Sequence, residues 1–163
     1  MKSRVLIIDS DRDHAELLRE KLDAYGYESV AEFSNRAGLG AVETFRPLVI
    51  ITDALIPDSD PFLLLRALRE REPHTPVIML SDNRSPDTAV RAIQEEGAYH
   101  YFVKPVDFDR LHIVLKRAVE LAEARKENEL LRRQLRDHGA FGELVGRSEL
   151  VGRSEMIGPP RRR

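Results

Sequence analysis

Side chains with acidic, hydroxyl or amino groups stand directly after short apolar runs in this chain. Asp9 and Asp11 follow the first run, Asp53 the third, Ser81 the fourth and Lys104 the fifth. Carboxylates that lie close together repel one another and stay ionised only beside positive charge. Mg²⁺ suits such a cluster, because it takes one or two carboxylates and also accepts waters and phosphate oxygens. The residue types therefore predict a phosphoryl-binding site whose counter-charges are Lys104 and Mg²⁺, or Mn²⁺ in its place.

Asp53 is the candidate nucleophile of this site, because it follows the central apolar run. Its carboxylate would attack a phosphoryl donor while cations neutralise the oxygens as charge spreads in the transition state. Ser81 would then hydrogen-bond the new phosphoryl oxygens. Lys104 would pair with a further oxygen, for which a flexible point charge is better suited than a fixed arginine fork.

Five apolar runs alternate with amphipathic stretches, which is the pattern of strands separated by helices. The predicted strands are residues 5–8, 29–33, 48–51, 77–80 and 99–103, and the helices between them are 12–25, 35–45, 61–72 and 86–96. Gly26 and Gly97 lie where helix ends need a positive φ. Strict alternation predicts an α/β fold, a doubly wound five-stranded parallel sheet with helices on both faces. The residues that follow the strands then meet at one edge of the sheet.

A last, extended helix is predicted from Asp107, its N-cap, and nothing breaks it before the glycine at 139. Its later part carries apolar residues at seven-residue spacing, which resembles a coiled-coil seam. The seam residues are Leu121, Asn128, Leu131 and Leu135. An asparagine at an inner position is a known way to fix a parallel two-stranded register. We therefore expect a homodimer, with a solvated helical extension as the alternative.

The composition excludes several classes of function. The 163 residues include no cysteine, so disulfides, thiolate metal sites and cysteine nucleophiles are ruled out. The net charge of -2 gives no reason to expect nucleic-acid binding, and the first apolar run is too short for a signal peptide or membrane span. The expectation is a cytoplasmic protein that binds neither nucleic acid directly nor a membrane. The five histidines show no paired metal spacing and are interpreted as ordinary polar residues.

Four segments resemble the receiver domain of bacterial two-component response regulators, the CheY-like family, across residues 3–122. They are LIIDSD at 6–11, ITDALIPDSD at 51–60, IMLSD at 78–82 and GAYHYFVKPVD at 97–107. The resemblance implies a flavodoxin-like sheet of strand order 2-1-3-4-5. It also implies that Asp53 is a phosphoacceptor for a sensor histidine kinase. The metal ligands that it implies are Asp9, Asp53 and the backbone carbonyl of Leu55.

The same resemblance assigns the parts of a switch. Ser81 stands where the family senses the phosphoryl group, and Tyr101 is the aromatic residue that swings inward when Ser81 moves. Pro105 follows the lysine through a peptide bond that is usually cis. These movements bias the face made by the fourth helix, the fifth strand and the fifth helix. The chain is therefore expected to be a signalling domain and not an enzyme.

One departure from the family concerns the metal. The second of two adjacent carboxylates, a direct metal ligand in the family, is Ser10 here. Asp11 is the candidate replacement, because Asp9 and Asp11 lie on one side of an extended backbone. Two alternatives stay open: a phosphorylation-independent pseudo-receiver that serves as a dimerisation module, and a haloacid-dehalogenase-type phosphatase with Asp9 as nucleophile. Leu55 cannot orient an attacking water, which predicts slow self-dephosphorylation.

The end of the chain resembles the linker of NtrC-type enhancer-binding transcriptional activators. The passage from ARKENELLRRQL to FGELVGRSE carries that resemblance, and no Gly-x-x-x-x-Gly-Lys motif for ATP occurs in the sequence. The chain is therefore expected to be either the regulatory part of such an activator or a stand-alone receiver whose output is a partner protein. Residues 143–148 are repeated without change at 149–154. The expected division is a receiver at 1–122, a helical or coiled-coil linker at 123–138 and a disordered tail at 139–163.

Overall fold

The computed structural model describes residues 1–53 and 60–137. Five parallel strands form one sheet in the order β2-β1-β3-β4-β5, which confirms the predicted topology. The strands are β1 Arg4–Ile8, β2 Glu28–Glu32, β3 Val49–Asp53, β4 Val77–Ser81 and β5 His100–Val103. Every residue of β3 and β4 is buried. Burial on both faces explains why these central strands are almost continuously apolar rather than alternating.

Five helices connect and follow the strands. They are α1 Arg12–Ala24, α2 Asn35–Phe45, α3 Leu63–Arg71, α4 Pro86–Val90 and α5 Phe108–Asp137. Polar residues cap three of them, since side-chain oxygens of Asp11, Ser34 and Asp107 accept backbone N–H groups of the first turn. Gly26 and Gly97 have φ values of 94° and 81°, which confirms the predicted helix ends.

Successive residues of the inner strands point into two separate cores, one on each face of the sheet. Val5 and Ile7 lie in the core that α1 and α5 cover. Leu6 and Ile8 lie in the opposite core, beneath α2 and α3. Each buried aliphatic side chain contributes about 1.5–3 kcal/mol relative to exposure. A slip of β1 by one residue would exchange its two faces, so the cores hold the register that aligns the strand ends.

The helix expected from Pro61 begins instead at Leu63. Asp60 Oδ1 accepts the backbone N–H of Phe62 at 2.9 Å, and the Asp60 carbonyl accepts the N–H of Leu63 at 3.0 Å. These bonds form a turn, because a short acidic side chain offers the backbone an alternative to the helix. The predicted start of the third helix was therefore wrong by two residues.

The helix expected at residues 86–96 is also different, because α4 continues into a π-helical segment, Arg91–Glu95. The backbone N–H of Glu96 donates to the carbonyl of Arg91, five residues earlier, at 2.9 Å. Arg66 of α3 forms ion pairs with Asp60 at 2.9 Å and with Glu96 at 2.8 Å. Amphipathic spacing could not reveal the π-helical turn, because it indicates which residues are buried and not which carbonyl each backbone N–H bonds.

The chain divides into two units, Met1–Ala124 and Arg125–Arg163. The first unit contains the sheet and its covering helices. In the second, the structure describes residues 125–137, which are helical and almost entirely exposed. Within the described ranges no helix is both long and apolar enough to span a bilayer. The expectations for Leu55 and for the tail at 139–163 concern residues outside those ranges.

Candidate functional site

Asp53 is the last residue of β3, the central strand, and β1 and β4 flank it. Its side chain is 2% exposed, and its Oδ2 accepts a hydrogen bond from Lys104 Nζ. Lys104 follows β5, so its side chain reaches past the end of β4. A buried carboxylate needs such a counter-charge, because desolvation strongly disfavours an unpaired ion. The structure thus brings two of the predicted site residues into direct contact.

Asp9 follows β1 and is as deeply buried as Asp53. Its Oδ1 accepts the backbone N–H of Asp11 at 2.9 Å, and its Oδ2 lies 2.6 Å from Nδ1 of His14. Because β1 and β3 are parallel neighbours, Asp9 and Asp53 stand at the same edge of the sheet. The prediction that these two carboxylates converge is confirmed.

His14 is a residue of this site that the sequence analysis missed. Its imidazole lies on the first turn of α1 and is 19% exposed. Asp9, His14 and Asp53 each offer a potential metal-ligand atom, and these atoms lie within 4.8 Å of one another. The interpretation of the histidines as ordinary polar residues did not anticipate this position of His14 beside Asp9. The missed signal is its place three residues after the helix cap, which turns its side chain back toward the end of β1.

Asp11 does not join this group. Its Oδ1 accepts the backbone N–H groups of Asp13 and His14 at 3.1 and 3.2 Å, so its carboxylate caps α1. The side chain is exposed, and among the described residues the potential ligands beside Asp53 are Asp9 and His14. The extended alternation that suggested Asp11 as a ligand ends there, because Asp11 is the N-cap and the next residue is helical. Ser10 is exposed as well.

The donor set fits a divalent cation. Two buried carboxylates face one lysine ammonium, which leaves one formal negative charge for a further cation to neutralise. A magnesium ion would be held by Asp9 and Asp53, because Mg²⁺ takes one or two carboxylates and fills its other positions with water and phosphate oxygens. The carbonyl of Leu55, the third ligand that the family resemblance implies, lies outside the described residues.

Ser81 and Tyr101 are linked through the backbone of one residue, Asn83. Ser81 Oγ, at the end of β4, accepts the backbone N–H of Asn83 at 3.0 Å. The Tyr101 hydroxyl donates to the carbonyl of Asn83 at 2.9 Å. Tyr101 is 8% exposed and belongs to the core beneath α2 and α3, so its ring lies inward. A displacement of Ser81 would therefore move the group to which Tyr101 is bonded.

The backbone of Lys104 is held from the side of β4. Its N–H donates to the carbonyl of Ser81 at 2.8 Å, and its carbonyl accepts from Arg84 Nη2 at 3.3 Å. The peptide bond between Lys104 and Pro105 is cis, as the family resemblance implies. The segment that carries the lysine is thus tied to the strand that carries the hydroxyl.

A sheet of this order with these residues at its carboxyl edge defines a doubly wound phosphoryl-binding domain. The sequence matches the response regulator receiver domain over residues 5–116, so the chain belongs to that family. It is 29% identical, over 90% of its length, to regulatory protein AtoC of Escherichia coli (strain K12). It is 34% identical, again over 90%, to the C4-dicarboxylate transport transcriptional regulatory protein DctD of Pseudomonas aeruginosa.

The solved structures include a relative of the same kind, NtrX from Brucella abortus, which is 31% identical with a TM-score of 0.72. The match covers 81% of this chain and 29% of that one. The chain likewise spans 32% of the length of AtoC and of DctD. These relatives are NtrC-type enhancer-binding regulators, in agreement with the resemblance at the end of the chain. Membership of the receiver family rules against the haloacid-dehalogenase alternative.

Proposed function

We propose that this receiver domain accepts a phosphoryl group on Asp53 from a sensor histidine kinase and thereby controls a transcriptional output. The observation that supports it best is the buried ion pair of Asp53 and Lys104, beside the buried carboxylate of Asp9. A structural ion pair does not require a second buried carboxylate next to it, because the added repulsion costs stability. A site that binds a cation and a phosphoryl group uses such a second carboxylate, because it supplies a ligand for the cation.

The reaction uses an Asp53 carboxylate oxygen as nucleophile. A bond forms from this oxygen to phosphorus as the bond from phosphorus to the kinase's histidine nitrogen breaks, and the leaving imidazole takes up a proton. Lys104 transfers its ion pair to a phosphoryl oxygen, and Ser81 donates its hydroxyl hydrogen to another. A magnesium ion at Asp9 and Asp53 supplies neutralising charge for the phosphoryl oxygens when bound. The product is a modified protein, which makes the domain a switch.

The signal would pass from Ser81 to Tyr101 through Asn83. A hydroxyl drawn toward the phosphoryl group changes its bond to the Asn83 N–H, and the Asn83 carbonyl holds the tyrosine hydroxyl. Phosphorylation then changes the relative populations of two arrangements of the surface formed by α4, β5 and α5. The energy needed is small, because a free-energy change of about 1.4 kcal/mol alters a two-state equilibrium constant tenfold.

The proposed assembly is a cytoplasmic homodimer joined through the later part of α5. Leu121 is half-buried, whereas Leu131 and Leu135 are 52% and 72% exposed. Exposed leucines at coiled-coil spacing are stabilised by pairing with a second helix. Asn128 is exposed as well and is available to pair with its own copy across a two-fold axis. No direct contact with nucleic acid is proposed for this chain.

Labelling with radioactive acetyl phosphate and Mg²⁺ tests the phosphoacceptor. The wild type should become labelled, and Asp53→Ala should remove the label completely, because Asp53 is the carboxylate that Lys104 holds in the described part of the chain. Asp23→Ala, which removes an exposed carboxylate at the opposite end of α1, is the matched control and should label like the wild type. Asp9→Ala should label weakly through loss of a metal ligand.

Two results would contradict this assignment. Full labelling of Asp53→Ala would move the acceptor elsewhere. A wild type that stays unlabelled, and whose Tyr101 resonances do not move when beryllofluoride and magnesium are added, would favour the pseudo-receiver.

A further inference from the structure

We propose that His14 is a ligand of the cation at this site, and that its nitrogen makes the site prefer first-row transition ions such as Co²⁺, Ni²⁺ or Zn²⁺ over Mg²⁺. The inference rests on the proposed function in one respect, that cation and phosphoryl group share the pocket at Asp53. It concerns the cation alone and is tested without a phosphoryl donor.

The donor atoms at this site differ from those of the receiver family. Where the receiver family has a second carboxylate, this chain has Ser10, which is exposed. The group that stands beside both Asp9 and Asp53 is instead the imidazole of His14. Mg²⁺ prefers oxygen donors, so a nitrogen ligand adds little to its affinity. Imidazole nitrogen strongly favours the later first-row divalent ions. One nitrogen in place of one oxygen therefore changes which metal binds best.

The three candidate ligand atoms lie close enough together to share one ion. Nδ1 of His14 and Oδ2 of Asp9 are 2.6 Å apart, and the ligand atoms of all three residues lie within 4.8 Å of one another. Around an ion bound at about 2.0–2.2 Å, ligand atoms lie at most about 4.4 Å apart. If the two farthest atoms occupy opposite positions around the ion, movements of a few tenths of an ångström would bring all three atoms onto it. The ring is 19% exposed, so an ion can reach it from solvent.

The backbone beneath His14 is already fixed. Its N–H donates to the capping carboxylate of Asp11 at 3.2 Å, and Ala15, the next residue, is completely buried. The imidazole is thus presented by a capped helix end against the core, which lowers the conformational entropy lost on binding. The opposing interpretation is that His14 only forms a hydrogen bond with Asp9 and occupies the space of the cation. In that case removing it would strengthen metal binding.

Calorimetric titration of the full chain with Co²⁺ and with Mg²⁺ separates the two, because the ions share their charge and nearly their size. The wild type should bind Co²⁺ more tightly. His14→Leu should lower the affinity for Co²⁺ by about tenfold or more and the affinity for Mg²⁺ by less than about threefold. His100→Gln, which removes a histidine of β5, is the matched control and should change neither affinity. Ser10→Asp should raise Mg²⁺ affinity and narrow the difference between the metals.

A second readout covers the case in which His14→Leu folds poorly. In the wild type saturated with Co²⁺, NMR should show a paramagnetically shifted imidazole signal that persists in His100→Gln. Absence of that signal, or a His14→Leu protein that binds Co²⁺ as well as the wild type or better, would overturn the proposal. If the shifted signal appears but Asp53 is never phosphorylated, the proposed function fails and this inference stands. If Asp53 is labelled but the signal is absent, the proposed function stands and this inference fails.

Discussion

Gly38 and Gly40 stand two residues apart in α2 and have different surroundings. A methyl group at Gly38 would lie 2.5–3.0 Å from side-chain atoms of Ile8 on β1. One at Gly40 would have no described atom within 4 Å apart from its chain neighbours and the nearby backbone of α2. By helix propensity alone, each glycine costs about 1 kcal/mol relative to alanine in a helix interior. The structure explains Gly38 by the close approach of α2 to the sheet at Ile8, the residue just before Asp9. Gly40 has no such reason.

Replacement of each glycine by alanine should therefore have opposite effects. Gly40→Ala should raise the free energy of unfolding by about 0.5–1 kcal/mol, because only helix propensity changes. Gly38→Ala should lower it by about 1–2 kcal/mol, since overpacking a core outweighs the gain in propensity. Urea denaturation of the two variants and the wild type measures both. Equal stabilisation by both alanines would show that Ile8 yields without cost.

At the scale of the element, β5 is one of the two edge strands and carries His100, whose ring centroid lies 4.7 Å from that of Phe102. Burial lowers the pKa of His100 below its usual value of 6.5, and the nearby charge of Arg110 on α5 lowers it further. Between the folded and unfolded values, the unfolded chain binds more protons than the folded one. The free energy of unfolding therefore rises with pH across that window and falls as pH drops below 6.5.

The strand's contribution to this pH dependence is measurable by difference. Unfolding by urea at pH about 5.5 and about 7.5 should show the wild type more stable at the higher pH. His100→Gln should reduce that difference, because its side chain does not titrate. An unchanged pH dependence in His100→Gln would assign the effect to other groups.

Helix α5 belongs to the scale of the whole molecule, because it runs from the sheet, where Leu111 and Leu115 are buried, into residues 125–137. Nothing within one described copy buries Leu131 or Leu135. Leu130 is 54% exposed but lies outside the seven-residue spacing. Leu130 and Leu131 therefore provide a matched pair of positions for substitution on one helix.

Leu131→Lys should weaken the dimer at least about tenfold, because a lysine at an inner position loses burial and repels its copy. Leu130→Lys should leave self-association unchanged, since that position faces away from the seam. Sedimentation equilibrium of the three proteins measures the dissociation constants. A monomeric wild type, or equal weakening by both lysines, would favour the solvated helical extension.

Much of the site was predictable because of how parallel sheets are built. Asp9, Asp53, Ser81 and Lys104 each follow an apolar run, and the carboxyl ends of adjacent parallel strands must meet. Reading polarity after each run therefore identified the residues without coordinates. The same reasoning failed for Asp11, because a residue after a strand can equally be a helix cap. Asp11 is the N-cap of α1, so the residues after it are helical and no longer alternate as in an extended strand.

The sequence by itself determined the five parallel strands and the four residues at their carboxyl ends, because short apolar strands alternate with helices. The family resemblance implied the strand order. Only the tertiary structure decided which residue stands beside the two carboxylates. His14 reaches them because α1 begins at Asp11 and packs on β1, which sets the helix phase against the strand end. That phase depends on a cap and on core packing between elements, and neither leaves a periodic trace in the sequence.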